Sequence, residues 1–321
     1  MENQIYDVIV IGGGPAGLTS AIYCSRKKMK TLMVTVNIGG QVNLTTHIEN
    51  YPGFVKIDGI ELSRVMEEQM KNFDTEIIFG KVDYVNRADG YFVVGLANGE
   101  KYSTRAIILA FGKIPRSLGI PGEDRFAGRG ISSCAICDAA LFRDKVASVV
   151  GGGNSALEAA EILSRFASKI YLIHRQDVFR GDESTLERVR SNPRIDMITN
   201  SIVTEIMGDK FVSGIIIQDV RTGSKKELKV DGMFVEIGYE TRTEWVKNLV
   251  SLNELGEVII NERGETSQPG VFAAGDVASG PFKQLVIAAG QGAVAALSAY
   301  NYLQKVSGGR ELKSDWGKIQ K

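Results

Sequence analysis

Two stretches of the chain follow the same pattern of apolar and polar positions. Val8-Ile9-Val10-Ile11 is an unbroken apolar run, as expected of a strand buried on both faces of a parallel sheet. The glycine-rich turn Gly12-Gly13-Gly14-Pro15-Ala16-Gly17 follows, and Leu18 to Lys28 then places apolar residues at helical spacing. Thr31 to Val36 supplies the next strand and completes a βαβ unit of about 30 residues. The pattern recurs with a strand at Val146 to Val150, the turn Gly151-Gly152-Gly153-Asn154-Ser155-Ala156, a helix over Ser155 to Phe166 and a strand at Lys169 to Ile173.

Each unit is followed by a β-rich stretch. Thr75 to Ile108 carries the hairpin signals Ala88-Asp89-Gly90 and Ala97-Asn98-Gly99, and Asp196 to Gly238 carries Thr222-Gly223. The chain thus reads as an internal duplication of one nucleotide-binding design. Gly270 to Tyr302 adds a strand, a turn and a long helix of small residues, and a polar tail follows Val306. The pattern predicts an α/β fold with two Rossmann-like domains. Their boundaries are expected near Lys113-Ile114-Pro115 and near Tyr239 to Trp245.

Composition narrows the class. The 321 residues suffice for two domains with sizeable cores, and 24% charged with 44% hydrophobic residues is the balance of a soluble globular protein. Lys plus Arg equals Asp plus Glu at 38 each, so no global field favours nucleic acid or an anionic membrane. Three cysteines exclude a disulfide-stapled secreted scaffold. The N-terminus lacks a basic region and a cleavage site, and no apolar run reaches the ~20 residues that span a bilayer. A reducing compartment, the cytosol, is expected.

In the first turn, Gly12 permits the sharp bend, Gly14 lets backbone approach a pyrophosphate, and Gly17 allows helix and strand to pack closely. The helix start offers free N–H groups to phosphate. The acid expected at the end of the second strand is replaced by Thr35-Val36-Asn37, a neutral ribose contact. The second turn is the variant ending in Ala156. It is followed by His174-Arg175-Gln176-Asp177-Val178-Phe179-Arg180, whose cations suit a 2′-phosphate and point to NADPH; a solvated basic loop is the plainer alternative.

Between the turns lies Cys134-Ala135-Ile136-Cys137-Asp138, the only closely spaced cysteine pair. Two such sulfurs can close a small disulfide ring. A zinc site would need further ligands from Cys24, His47 and His174, and Cys24 is placed in the first helix and His174 in the nucleotide loop, so no metal is expected. The pair is either redox-active or an unreactive core pair. Asp138 begins a run of helix formers, so it is a candidate for helix cap, for thiol general acid–base, or for both.

Taken together, Gly12 to Gly17, Gly39-Gly40-Gln41, Ile48-Glu49-Asn50-Tyr51-Pro52-Gly53, Cys134 to Asp138, Gly151 to Ala156 and Thr266 to Asp276 resemble the low-molecular-weight, bacterial- and archaeal-type thioredoxin reductases. The likeness runs in order from about residue 5 to about 304. It implies a discontinuous FAD domain, residues 1–113 and 245–321, with an inserted NAD(P)H domain, 114–244, each of three-layer ββα type. It implies FAD contacts from Gly12, Gly14, Ala16, Gly17, Thr35, Gln41, Asn50, Asp276 and Gln284. NADPH contacts would come from Gly151, Gly153, Asn154, Ser155, Ala156, His174, Arg175 and Arg180. The implied cycle carries a hydride from NADPH to FAD, then electrons to the Cys134–Cys137 disulfide and on to thioredoxin. By resemblance Cys137 faces the flavin, Cys134 attacks thioredoxin, Asp138 handles protons, and the protein is a homodimer.

Four departures from the family pattern stand out. Gln176 replaces a second arginine of the NADPH loop, which leaves NADH use open. Ala110-Phe111-Gly112 replaces Ala-Thr-Gly, Gly238-Tyr239-Glu240-Thr241 replaces Gly-x-x-Pro, and Lys283 replaces Arg. Competing readings are a reductase of another carrier, glutaredoxin-like or peroxiredoxin-linked, a ferredoxin-driven variant, and a nucleotide-binding redox sensor without turnover.

Overall fold

The computed structural model describes residues 5–44 and 48–310, apart from the side chains of Leu44 and Cys137. His47 lies outside the described residues. The chain divides into two units, Met1–Lys113 with Thr241–Lys321, and Ile114–Glu240. The return crossing falls at Glu240/Thr241, just ahead of the expected Trp245.

The first unit opens with β1 (Ile5–Gly13), α1 (Pro15–Arg26), β2 (Thr31–Ile38), α2 (Gly59–Lys71) and β3 (Thr75–Phe79). It continues as β4 (Val82–Arg87), β5 (Phe92–Leu96) and β6 (Lys101–Leu109). Strand β1 pairs in parallel with β2 and β6, and β3 in parallel with β2. The meander β4–β5–β6 is antiparallel, with Ala97-Asn98-Gly99 turning β5 into β6. Thr75–Phe79 therefore belongs to the parallel sheet and not to the hairpins expected from Thr75 onward. The continuous apolar runs have a simple cause: alternate residues serve different cores. Val8, Val10, Ala106 and Ile108 face one buried cluster, while Ile9, Ile11, Ile107 and Leu109 face the other.

The second unit starts with β7 (Ile114–Pro115), α3 (Glu123–Phe126), β8 (Ile131–Ser132) and α4 (Ala135–Asp138), and proceeds to β9 (Val146–Val150) and α5 (Asn154–Leu163). Next come β10 (Lys169–Ile173), α6 (Glu183–Ser191), β11 (Ile195–Ile198), β12 (Ser201–Gly208), β13 (Val212–Asp219) and β14 (Lys225–Leu228). It closes with β15 (Gly232–Val235) and β16 (Tyr239–Glu240). Five strands form a parallel sheet in the order β11-β10-β9-β15-β8, and β12-β13-β14 form an antiparallel sheet of their own. Strands β7 and β16, at the two ends of the unit, pair antiparallel.

The chain then completes the first unit with β17 (Val271–Ala273) and α7 (Leu285–Val306). Strand β17 pairs with β6 at Ile107–Leu109, while β5 occupies the earlier residues of β6. One strand thus carries both the meander and the returning chain. The small residues of α7 explain its seat: Ala288, Gly292, Ala295 and Ala299 are buried, and a Cβ on Gly292 would lie 2.3 Å from the Ala16 carbonyl oxygen of α1. The Ser20 hydroxyl fills the gap, 2.8 Å from Ala16 O and 3.0 Å from Gly292 O.

Candidate functional site

Gly12 has φ +115, and a side chain there would collide with the Ala110 carbonyl at 2.3 Å. A Cβ on Gly17 would stand 1.9 Å from Gly12 O, so α1 can touch β1 only through glycine. Space beside Gly14 is open: its nearest neighbour in the Cβ direction is Gly39 O at 3.9 Å. Pro15 starts α1, and no side chain caps the helix. The turn therefore presents unclaimed N–H groups and an open wall, which fits a pyrophosphate. Thr35 is buried, its hydroxyl donating to Asn37 O at 2.6 Å, so it braces the loop while Val36 and Asn37 are exposed. Beside the turn, Asn43 Oδ1 and Ser63 Oγ are buried without a hydrogen-bond partner.

The other expected flavin residues converge in the same unit. Asn50 Nδ2 donates to Gln284 Oε1 at 3.2 Å, joining two of them across 234 residues. Gln41 Nε2 donates to Lys113 O at 3.0 Å. Asp276 lies in the short 3₁₀ turn after β17, where the Gln291 amide oxygen accepts from Gly275 N at 2.9 Å. Burial raises the Asp276 carboxyl, opposed by Lys283 and Lys113. Pattern reading passes over Gln291 because it sits inside an otherwise apolar helix. It also passes over Glu257, whose carboxylate binds Lys113 at 2.9 Å and Lys283 at 3.1 Å.

The second turn repeats the geometry with one change. Gly151 lies against Glu236 O and Ala156, and Gly153 faces open space like Gly14. Ser155 is exposed at the start of α5, while Asn154 Oδ1 accepts from Asp182 N at 2.7 Å and so fixes the following loop. Arg180 N donates to Gly152 O at 2.7 Å, which staples that loop to the turn. Arg175 and Arg180 are exposed beside it. His174 behaves differently from its arginine neighbours. Its ring is 9% exposed, occupies the space a Cβ on Gly152 would need, stacks 5.0 Å from Phe179, and keeps Nε2 unpartnered. It is a floor beneath the turn and is not on the loop's cationic face.

Cys134 is disulfide-bonded and 8% exposed, and the Cys137 side chain lies outside the described residues. The Ser132 hydroxyl accepts from Cys134 N at 3.0 Å and holds the segment as it leaves β8. The helix formers after Cys134 yield only the four-residue α4 and a 3₁₀ turn, Ala139–Phe142. Asp138 follows Cys134 by one helical turn, its N–H donating to Cys134 O at 3.2 Å, and its side chain makes no cap bond to the 3₁₀ turn that follows. Ala135, Ala139 and Phe142 are buried in one cluster with Ala156, Leu157 and Ala160 of α5. The cysteine segment therefore packs directly on the helix that opens at the second nucleotide turn.

Comparison with known proteins places this arrangement. The profile of the pyridine nucleotide-disulphide oxidoreductases matches residues 6–292. A thioredoxin reductase of Mycolicibacterium smegmatis is 43% identical over 305 residues, covering 94% of this chain and 98% of that relative. An alkyl hydroperoxide reductase of Staphylococcus epidermidis is 40% identical over 94% of this chain but 60% of its own length. The crystal structure of Lactococcus lactis thioredoxin reductase superimposes with a TM-score of 0.82 at 38% identity, covering 94% of this chain and 99% of the other. The chain belongs to the pyridine nucleotide-disulphide oxidoreductase family and, within it, to the low-molecular-weight thioredoxin reductases.

Proposed function

We propose that this protein reduces the disulfide of thioredoxin with electrons from NADPH, using bound FAD and the Cys134–Cys137 pair. The observation that carries this reading is the shared core of the cysteine segment and α5, which sets a redox segment against a nucleotide turn in one unit. Gly12, Gly14, Ala16 and Gly17 would hold the flavin's pyrophosphate, with Gln41, Asn50, Asp276 and Gln284 along the rest. Gly151, Gly153, Ser155, Arg175 and Arg180 would hold NADPH. Bound FAD would supply a two-electron relay between a nicotinamide and a disulfide.

In the protein's own residues, the Cys134 thiolate attacks one sulfur of thioredoxin and expels the other as a thiolate, forming a mixed disulfide. Cys137 then attacks Cys134, which closes the internal disulfide and releases the second thioredoxin thiol. Asp138, one turn from Cys134, takes the thiol proton and returns it to the leaving sulfur. Because Cys134 is buried, the segment must be uncovered for each transfer. The molecule acts as a homodimer in the cytosol; among the described residues no helix is long and apolar enough to cross a membrane.

Anaerobic NADPH should bleach the flavin absorbance of the purified protein, and oxidised thioredoxin should restore it. A bound flavin that neither NADPH nor NADH bleaches sinks the donor reading. A Cys137→Ser variant should keep the bleaching and lose thioredoxin reduction by at least about 10³-fold; full activity would end the dithiol mechanism. The likeness to an alkyl hydroperoxide reductase supports a second acceptor, a peroxiredoxin-linked disulfide carrier. Ratios of kcat/KM for the two acceptors decide between them.

A further inference from the structure

Among the described residues Glu257 is the only fully buried acidic side chain, 3% exposed. One of its oxygens, Oε1, takes both ammonium groups, Lys113 Nζ at 2.9 Å and Lys283 Nζ at 3.1 Å. Its other oxygen accepts from Asn253 Nδ2 at 2.9 Å, and the Asn253 amide oxygen accepts from Glu257 N at 2.9 Å. Lys283 also donates to Ala278 O. Burying such a group costs several kcal/mol, and apolar residues of the same size usually stabilise a fold as well or better. Stability alone is therefore a weak reason for this trio.

Its connections point elsewhere. The carbonyl of Lys113 accepts from Gln41, Lys283 immediately precedes Gln284, and Gln284 accepts from Asn50. Asp276 and Gln284 bracket the loop that Lys283 ties down. One carboxylate thus fixes two lysines that adjoin the flavin site, Lys113 through its carbonyl bond to Gln41 and Lys283 through its neighbour Gln284, and the trio retains one net positive charge.

We propose that Glu257 is a positioning residue for the flavin: it locks Lys113 and Lys283 beside Asp276 and Gln284, and the trio's charge sets how readily a flavin bound there is reduced. The inference rests on the FAD reading above. Reduction adds electrons to the flavin, so nearby positive charge favours the reduced form and negative charge opposes it.

The test is an anaerobic dye-coupled titration of the flavin midpoint potential in the FAD-loaded wild type, Glu257→Gln and Lys113→Met. Flavin-fluorescence titration of the apoproteins gives the FAD Kd in parallel. Glu257→Gln should move the potential positive and Lys113→Met should move it negative, with FAD binding weakened about tenfold in Glu257→Gln. A residue that only stabilises the fold would lower Tm in both variants and leave both potentials at the wild-type value, which would overturn the proposal. If Glu257→Gln does not fold, Lys113→Met and Lys283→Met decide, both expected negative and both fatal to the idea if unshifted. Wild-type protein that binds no FAD at all would remove the flavin reading itself, a separate and visible outcome.

Discussion

Two titratable side chains flank the second glycine turn and respond to pH in opposite senses. Burial, with Glu158 adding repulsion, pushes the Glu236 carboxyl up to about 7. Its contribution to stability is complete below the ordinary carboxylate range and is lost as pH rises through about 7. Burial pulls His174 down, opposed by a backbone hydrogen bond at Val178, with Arg175 and Arg180 lowering it further. Its contribution is present above the ordinary histidine range and is lost as pH falls below it. Glu236→Gln should therefore flatten the alkaline loss of stability, on the order of 2 kcal/mol after allowing for partial solvent screening. Urea unfolding from pH 4.5 to 8 checks this, and an unchanged slope refutes it. In the adjoining loop, Gln176→Arg should lower the KM for NADPH by about tenfold through one added charge-assisted contact, leaving that for NADH unchanged. That Arg175 and Arg180 lie exposed on a loop after the second βαβ strand is legible in the sequence, because charged residues that follow such a strand stay at the surface. The burial of His174 against Gly152 is not legible, since sequence cannot show where its ring rests.

Helix α7 meets α1 through glycine, alanine and serine. Gly292→Ala would put a methyl 2.3 Å from Ala16 O and force the helices apart. We expect a loss of about 1–3 kcal/mol, the usual cost of overpacking, with faster release of a flavin held as proposed above, because Ala16 belongs to the first turn. Calorimetry and flavin fluorescence measure the two effects together. Both βαβ units, their turns and the hairpin at Asn98-Gly99 can be read from the sequence, because period and turn chemistry are local. The place of Thr75–Phe79 in the parallel sheet cannot, since the same apolar residues suit a hairpin edge or a sheet edge. The short reach of α4 is equally hidden: propensity favours a longer helix, and the chain instead tightens to 3₁₀ as it buries Ala139 and Phe142. The triad around Glu257 leaves no trace at all, being assembled from residues 113, 257 and 283.

At the scale of the molecule, Glu257 should make the first unit sensitive to acid. Burial raises its carboxyl, but hydrogen bonds from Lys113, Asn253 and Lys283 outweigh this and hold it below the ordinary range. That contribution is present above the usual carboxylate range and disappears as pH falls through the lowered value. Acid should thus release a bound flavin before secondary structure is lost, seen as a rise in flavin fluorescence preceding the far-UV transition; coincident transitions would contradict this. The shared edge of β6 has a further consequence, for synthesis. Residues 107–109 have no partner on that edge until residues 271–273 leave the ribosome, which at typical elongation rates takes on the order of ten seconds or more. Meanwhile all of Ile114–Glu240 has been made and can close its own sheet. Ribosome-arrested chains long enough for residue 240 but not residue 271 to clear the exit tunnel should therefore show a protease-resistant inserted unit and a cleavable β6. The flavin-side half, begun first and finished last, is the part of the nascent chain that most needs a chaperone.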